Sequence, residues 1–323
     1  METPGMRMLP SVGARALHGR NVVWCSNWNL TEAGGHDVQR AGAVLRSLDF
    51  LPYCESSELR WKNRSKKLEV DNYKEFWAGM MKKLGYGGLF VKKTSTKPDG
   101  VAVFWNEKKL KVKESEEISL DSPSGDESDI DHELLSRAST RGSVGAIVHF
   151  EHLETQLKFI VATTHLFWDP MQEDVKLLQS RRMLRAIEEF TSSLDASTPI
   201  IFAGDFNSLP DSKVYSFITS KSHYRSAYAQ YESDGEPKFT NVNGDAETDD
   251  GKMVPRFVGT LDYIFYRSPS ATLTSIFEQD AAAALMELMS FEDASKEVAL
   301  PSTISPSDHL PLLCEFHIQS TSN

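Results

Sequence analysis

The run "PIIFAGDFN", Pro199 to Asn207, constrains this chain more than any other. Five apolar or small residues in a row suit a strand covered on both faces, yet the run ends in Asp205 with Asn207 two residues later. Polar side chains at the end of a buried strand cost free energy unless something pairs with them. Six other runs have the same β-branched or aromatic character and are bounded by Gly, Pro, Asn or Asp: 21–25 "NVVWC", 100–105 "GVAVFW", 145–152 "GAIVHFEH", 158–166 "KFIVATTHL", 260–266 "TLDYIFY" and 309–318 "HLPLLCEFHI". Helical spacing is found in 71–85, with Gly85 as the C-terminal stop, and in 174–194. Strands and helices interleaved in this way predict an α/β fold, with sheet buried under helices.

The polar residues at the strand ends differ in direction. His165 and Asp205 follow their apolar runs, whereas Asp262 and the pair Asp308 and His309 precede theirs. If the second group of strands runs antiparallel to the first, all these ends meet at one edge. The pattern therefore predicts two mixed, largely antiparallel sheets in a sandwich, with His165, Asp205, Asn207, Asp262, Asp308 and His309 in one cleft. A doubly wound parallel sheet would collect its site only at carboxyl ends.

Hard divalent cations such as Mg²⁺ take carboxylate and amide oxygens and keep waters that substrate phosphates can replace. Asp205, Asn207 and Asp308 offer that chemistry. No Ser or Cys stands beside a base as a nucleophile, so attack by water on a metal-held phosphorus is the expected reaction, giving phosphoester hydrolysis. Each motif alone is also satisfied by a turn, a strand opening or a core histidine. Their convergence at strand ends favours a site.

The net charge of −11 argues at first against a nucleic-acid partner. However, residues 114–133, "ESEEISLDSPSGDESDIDHE", hold nine of the acids and no Lys or Arg, leaving 37 acids against 35 bases elsewhere. The rest of the chain suits gripping a strand end rather than coating a duplex. The acidic, Ser-rich stretch reads as a disordered loop over 114–136 inside the domain. Cys25, Cys54 and Cys314 are far apart with no paired spacing, so no disulfide framework or structural zinc is expected, and the compartment is expected to be reducing, cytoplasmic or nuclear. No apolar run is long enough for a membrane span, and there is no leucine-rich array. Residues 1–20 carry three Arg against one acid and read as a disordered leader, with only a faint likeness to an organelle import signal.

The motifs "THLFWDP", "GDFNSLPDSKVYSFI", "FVGTLDYIFY" and "SPSDHLPLLCEF", with "LRWKNRSKKL", "EVDNYKEFWAGMMKKLGYGGLF" and "PDGVAVFWNEKKLKV" upstream, resemble the endonuclease/exonuclease/phosphatase superfamily. Within it they resemble the branch of carbon catabolite repressor-type deadenylases and nocturnin-like RNA exonucleases. The resemblance runs from about Val22 onward and implies a four-layer α/β sandwich and Mg²⁺-dependent hydrolysis, with Mn²⁺ as a substitute. It also implies Glu69, Asp308 and Asn29 around the metal and His165, Asp205, Asn207, Asp262 and His309 in catalysis. Neighbours on an extended segment point to opposite faces, so Asp262 rather than Asp308 is expected to orient His309. Pro170 and Phe257 match the deadenylase pair that sandwiches the terminal base, which implies single-stranded RNA or poly(A) 3′ ends as substrate. A nocturnin-like nicotinamide dinucleotide phosphatase, or a catalytically impaired RNA-binding or regulatory protein, is the alternative.

Three departures from the family pattern bear on this. Ser143 stands where the family has Asn, and "CSNWNL" offers Asn27 as well as Asn29. In the family the metal glutamate ends a buried strand reading roughly "DILCLQE", whereas here "RWKNRSKKL" runs directly into "EVDNY". A strand before Glu69 is thus expected to be missing, exposing its neighbours, holding Glu69 off the metal and weakening both fold and turnover.

Overall fold

The computed structural model describes residues 21–25, 50–54, 73–94, 99–229, 235–243, 246–247, 253–254, 257–267, 271–276, 309 and 312–318. In chain order the strands are β1 (Asn21–Cys25), β2 (Phe50–Cys54), β3 (Tyr86–Lys92), β4 (Gly100–Asn106), β5 (Leu110–Ser119), β6 (Val144–His152), β7 (Lys158–His165), β8 (Ile200–Asp205), β9 (Arg225–Ser226), β10 (Asn241–Asn243), β11 (Ala246–Glu247), β12 (Met253–Val254), β13 (Phe257–Gly259), β14 (Asp262–Arg267), β15 (Ala271–Ile276) and β16 (Leu312–Ile318). The helices are α1 (Ala78–Lys83), entered through a π turn at Tyr73–Trp77, α2 (His132–Ala138), α3 (Glu173–Thr191) and α4 (Lys213–Ser216).

Two six-stranded sheets form, in the orders β15-β16-β1-β2-β4-β3 and β5-β6-β7-β8-β14-β9. In the second, β7 and β8 are parallel and the pairs β5–β6, β6–β7, β8–β14 and β14–β9 are antiparallel. The pleat sends alternate side chains to opposite faces. Phe159, Val161, Ile201, Ala203 and Ile264 pack between the sheets against Leu312, Cys314 and Phe316, while Ile160, Ala162, Phe202, Tyr263 and Phe265 pack outward onto Met183, Leu184 and Ile187 of α3. Strands covered on both sides explain the continuous apolar runs. On the outer face of the first sheet, Tyr73 stacks on Phe90 at 4.5 Å and Trp77 meets Phe104, giving the order helix, sheet, sheet, helix.

The acidic stretch corrects the expectation of a disordered loop at 114–136. Residues 114–119 continue β5, paired with β6 through Ser119↔Val144, and Asp131 caps α2 by accepting from the Glu133 N–H. Glu127 receives two hydrogen bonds from the buried Arg182 guanidinium of α3, at 2.8 and 2.7 Å. The composition misled because β5 is an edge strand: Glu114, Glu116 and Glu117 are exposed there and discourage pairing with another chain.

The lane expected to be empty in the first sheet is also filled. β2, from upstream of "RWKNRSK", lies between β1 and β4, antiparallel to β4 over five register pairs and parallel to β1 through the single pair Val23↔Phe50. The run "FLPYC" gives a poor strand signal because Pro52 has no N–H for a ladder. Glu69, Asn29, Asp308 and the leader 1–20 lie outside the described residues.

Candidate active site

Strand register assembles the core of the site. β7 and β8 pair His165 with Asp205, and β8 and β14 pair Asp205 with Asp262, so three polar side chains form one row across three strands. By the pleat they share the face of Ile201, Ala203 and Ile264, towards the first sheet. His309 joins them from the other sheet, three residues before β16. All four are buried, with 3% exposure for His165 and none for Asp205. Gly204 is required by close approach: a Cβ there would lie 2.2 Å from the Thr164 carbonyl oxygen.

His309 Nδ1 lies 2.7 Å from Asp262 Oδ2, and its Nε2 is turned towards Asp205 Oδ2 at 3.9 Å. His165 Nε2 lies 3.6 Å from the same Asp205 oxygen. Asp262 is held by Thr240, whose Oγ1 donates to Oδ2 at 2.7 Å and accepts the N–H groups of Leu261 and Asp262. Burial, and then the Asp262 carboxylate, push the Asp205 carboxyl up to about 7, against the lowering effects of His309, the Asn207 N–H and Lys93. One carboxylate buried beside another is costly without a cation. Asp205, Asp262 and His309 each offer a ligand atom within 4.8 Å of the others, and Asp262 Oδ1 has no hydrogen-bond partner among the described residues. The two carboxylates of this set suit a hard divalent cation, which prefers oxygen ligands.

Asn207 sits in the left-handed region at φ 46, which Asn tolerates better than most residues. Its N–H donates to Asp205 Oδ1 at 2.8 Å and its Nδ2 to the Leu166 carbonyl at 3.0 Å, fastening the loop after β8 to the loop after β7. Lys176 of α3 donates from Nζ to the Asn207 carbonyl at 2.6 Å. Burial lowers that ammonium's pKa, and Asp205, Glu173 and Asp169 oppose the shift.

Pro170 is exposed at the start of a short 3₁₀ turn whose cap is Asp169. Phe257 is half-buried on β13, with its ring tip over Gly259, where a Cβ would come within 2.7 Å of Phe257 Cζ and 2.9 Å of Leu209 Cδ2. The structure therefore brings together His165, Asp205, Asn207, Asp262 and His309, and sets Phe257 beside the loop that follows Asn207.

Several site residues escape the sequence reading. Lys176 stands among the buried positions Val175, Leu178, Gln179 and Met183 of α3, and a charge within an apolar stripe is the signal that marks it. Lys93 and Asp99 form a buried pair at 2.5 Å, and Lys93 is close enough to act on Asp205. Thr240 and Asn241 carry no readable signal, because their segment pairs only with short strands.

The sequence pattern of the Endonuclease/Exonuclease/phosphatase family matches residues 30–309, most of the chain. The chain belongs to that family. Among related proteins, it is 30% identical over 326 residues to carbon catabolite repressor protein 4 homolog 4 of Arabidopsis thaliana, covering 84% of this chain and 74% of that one. It is also 30% identical over 266 residues to the probable CCR4-Not complex 3′-5′-exoribonuclease subunit Ccr4 of Vairimorpha ceranae, spanning 54% of that protein's length. The solved catalytic domain of human nocturnin aligns with a TM-score of 0.64 at 23% identity, over 94% of this chain and 96% of that domain. ANGEL2, a 2′,3′-cyclic phosphatase, aligns at 0.67 and 22%, over 93% and 96%. These two show the shared fold. Family membership makes the chain a metal-dependent phosphoester hydrolase, a nuclease or phosphatase. Among the described residues no helix is long and apolar enough to cross a membrane.

Proposed function

We propose that this protein is a Mg²⁺-dependent 3′→5′ exoribonuclease that shortens poly(A) or other single-stranded RNA ends and releases nucleoside 5′-monophosphates. The observation that carries the reading is the register row His165–Asp205–Asp262 closed by His309, with Phe257 beside it as a stacking face. The name of the Vairimorpha relative, a probable 3′-5′-exoribonuclease subunit, supports RNA as the substrate class.

Asp205 and Asp262 are the described carboxylates that would hold a divalent cation, with Glu69, Asn29 and Asp308 as further candidates. When bound, the cation neutralises charge on the phosphoryl oxygens and favours ionised water. Asp262 fixes the His309 ring through Nδ1, leaving Nε2 to take a proton from the attacking water. His165, within reach of Asp205, donates a hydrogen bond to a non-bridging phosphate oxygen. Asn207 holds Asp205 in place through its N–H. Water adds to phosphorus, the bond to the 3′-oxygen of the penultimate nucleotide breaks, that oxygen takes a proton, and the terminal nucleoside leaves with the phosphate. Pro170 and Phe257 would hold the terminal base, a contact worth about 1–3 kcal/mol and tolerant of sequence.

Labelled oligo(A) incubated with Mg²⁺ tests the reading. One-nucleotide shortening that disappears in Asp205→Ala supports it. An intact oligonucleotide, together with wild-type-dependent cleavage of a nicotinamide dinucleotide phosphate, replaces it with the small-molecule reading.

A second reading, a catalytically impaired RNA-binding protein, is favoured by one observation: Pro52 lies in an interior lane joined to β1 by one register pair. Inserting a family-like strand between Leu68 and Glu69 should then raise both Tm and turnover. If the chain as it stands already matches that variant, impairment is refuted.

A further inference from the structure

Gln172 belongs to no step above, yet three charged side chains converge on its amide. Arg137, near the end of α2, and Arg141 beyond it both donate to its Oε1, at 3.4 and 2.8 Å. On the other side its Nε2 donates to Asp169 Oδ2 at 2.9 Å. Both arginines are themselves held. Arg137 bonds both carboxylate oxygens of Asp174 in the first turn of α3, and the Arg141 guanidinium lies 4.5 Å from the centre of the Phe167 ring. Ala138, Val175, Leu178 and Phe167 pack in one apolar cluster, which fixes α2 on α3.

A guanidinium only donates and a carboxylate only accepts. With donors on one side and an acceptor on the other, the Gln172 amide has one orientation, and the cations at Oε1 strengthen Nε2 as a donor. The effect passes to the turn that carries Pro170. Asp169 gives Oδ2 to Gln172 and Oδ1 to the Met171 N–H, at 2.8 Å, which caps the 3₁₀ turn starting at Pro170. No residue of that turn is buried, so these polar bonds rather than packing hold it.

We propose that Gln172 is a positioning residue: it carries the hold of Arg137 and Arg141 to Asp169 and so keeps the exposed Pro170 ring in place for the terminal base. The inference rests on the exonuclease reading above, in which Pro170 and Phe257 take that base. A face already fixed binds more tightly than a mobile one, because less freedom is lost on binding. The segment between β5 and β6 thereby acts on substrate affinity without touching substrate.

Gln172→Glu in the full chain separates positioning from packing. The glutamate keeps both arginines, now through ionic bonds, but has no donor for Asp169 and sets two carboxylates face to face. It should raise KM for oligo(A) about five- to tenfold, with kcat within about twofold and Tm unchanged or higher. Asp169→Asn alone should also raise KM, since it leaves one oxygen for two donors. Combined with Gln172→Glu it supplies the missing donor: an asparagine there accepts the Met171 N–H with Oδ1 and donates from Nδ2 to the glutamate. The double variant should return KM to within about twofold of the unaltered chain. Amide–water exchange of Met171 and Gln172, read by NMR without substrate, should rise in each single variant and fall back in the double one. A double variant no better than the worse single one overturns the proposal, as does a rise in KM that only follows a fall in Tm. If exchange changes as stated while KM does not, Pro170 takes no part in binding and the proposal fails. If exchange changes as stated and neither the variants nor the unaltered chain shorten oligo(A), the tether stands and the exonuclease reading falls.

Discussion

The two sheets contribute to the site in different ways. The second sheet carries His165, Asp205 and Asp262 on three adjacent, fully paired strands covered on both faces, so backbone register sets their spacing. The first sheet contributes His309 from a segment outside its ladder and contains β2, with a proline in an interior lane and one register pair to β1. Geometry fixed by a hydrogen-bonded ladder survives changes elsewhere in the chain. Geometry delivered by a connecting segment depends on how well its sheet is built.

The sharpest way to break this comparison is at Asp205. Asp205→Ala should lower single-turnover cleavage of oligo(A) by about 10³-fold or more while leaving Tm unchanged or higher, because it removes a buried carboxyl whose ionised form is disfavoured. A large fall in Tm would mean that the register row supports folding rather than chemistry. For the sheets themselves, Ile201→Ala should cost about 2–5 kcal/mol in urea unfolding, whereas Pro52→Val should stabilise by about 1 kcal/mol. Loss of stability in Pro52→Val would show that β2 is as finished as β8.

Smaller effects sharpen the picture. Lys176→Met should lower kcat about tenfold with KM little changed, since it frees the Asn207 carbonyl rather than a substrate contact. Phe257→Ala should raise KM for oligo(A) roughly fivefold or more, and Phe257→Tyr much less, because tyrosine keeps the stacking face. Equal kinetics for the two variants would return Phe257 to packing. The last effect is on pH. The folded Asp205 pKa of about 7 exceeds its ordinary value of 3.8, so the folded state keeps a proton between those limits that the unfolded state has released. Its contribution to stability is present below about pH 4 and is lost as pH rises through 7. Tm in EDTA should therefore fall by roughly 3–6 °C across that range, and Mg²⁺ should restore more at pH 8 than at pH 5.

What the sequence showed follows the same division. β7, β8 and β14 were readable because both of their faces are buried, and the polar residue ending or opening each run marked the site edge. The direction argument, with His165 and Asp205 after their strands and Asp262 and His309 before theirs, is met for Asp262 by the antiparallel pairing of β8 and β14, whereas His309 reaches the same place from the other sheet. β2 was unreadable because its partners, rather than its own propensity, make it a strand. β5 was hidden by the charges that an exposed edge calls for.

The single row of His165, Asp205 and Asp262 has a consequence for how such genes can vary. Side-chain direction alternates with every residue, so gaining or losing one residue within β8 would turn Asp205 to the helix-covered face while Ile201 and Phe202 merely exchanged places. The product could still fold and accumulate with no chemistry. Length changes upstream of β3 threaten stability first and are exposed to cellular quality control, whereas a slip in the second sheet would leave a soluble, silent protein.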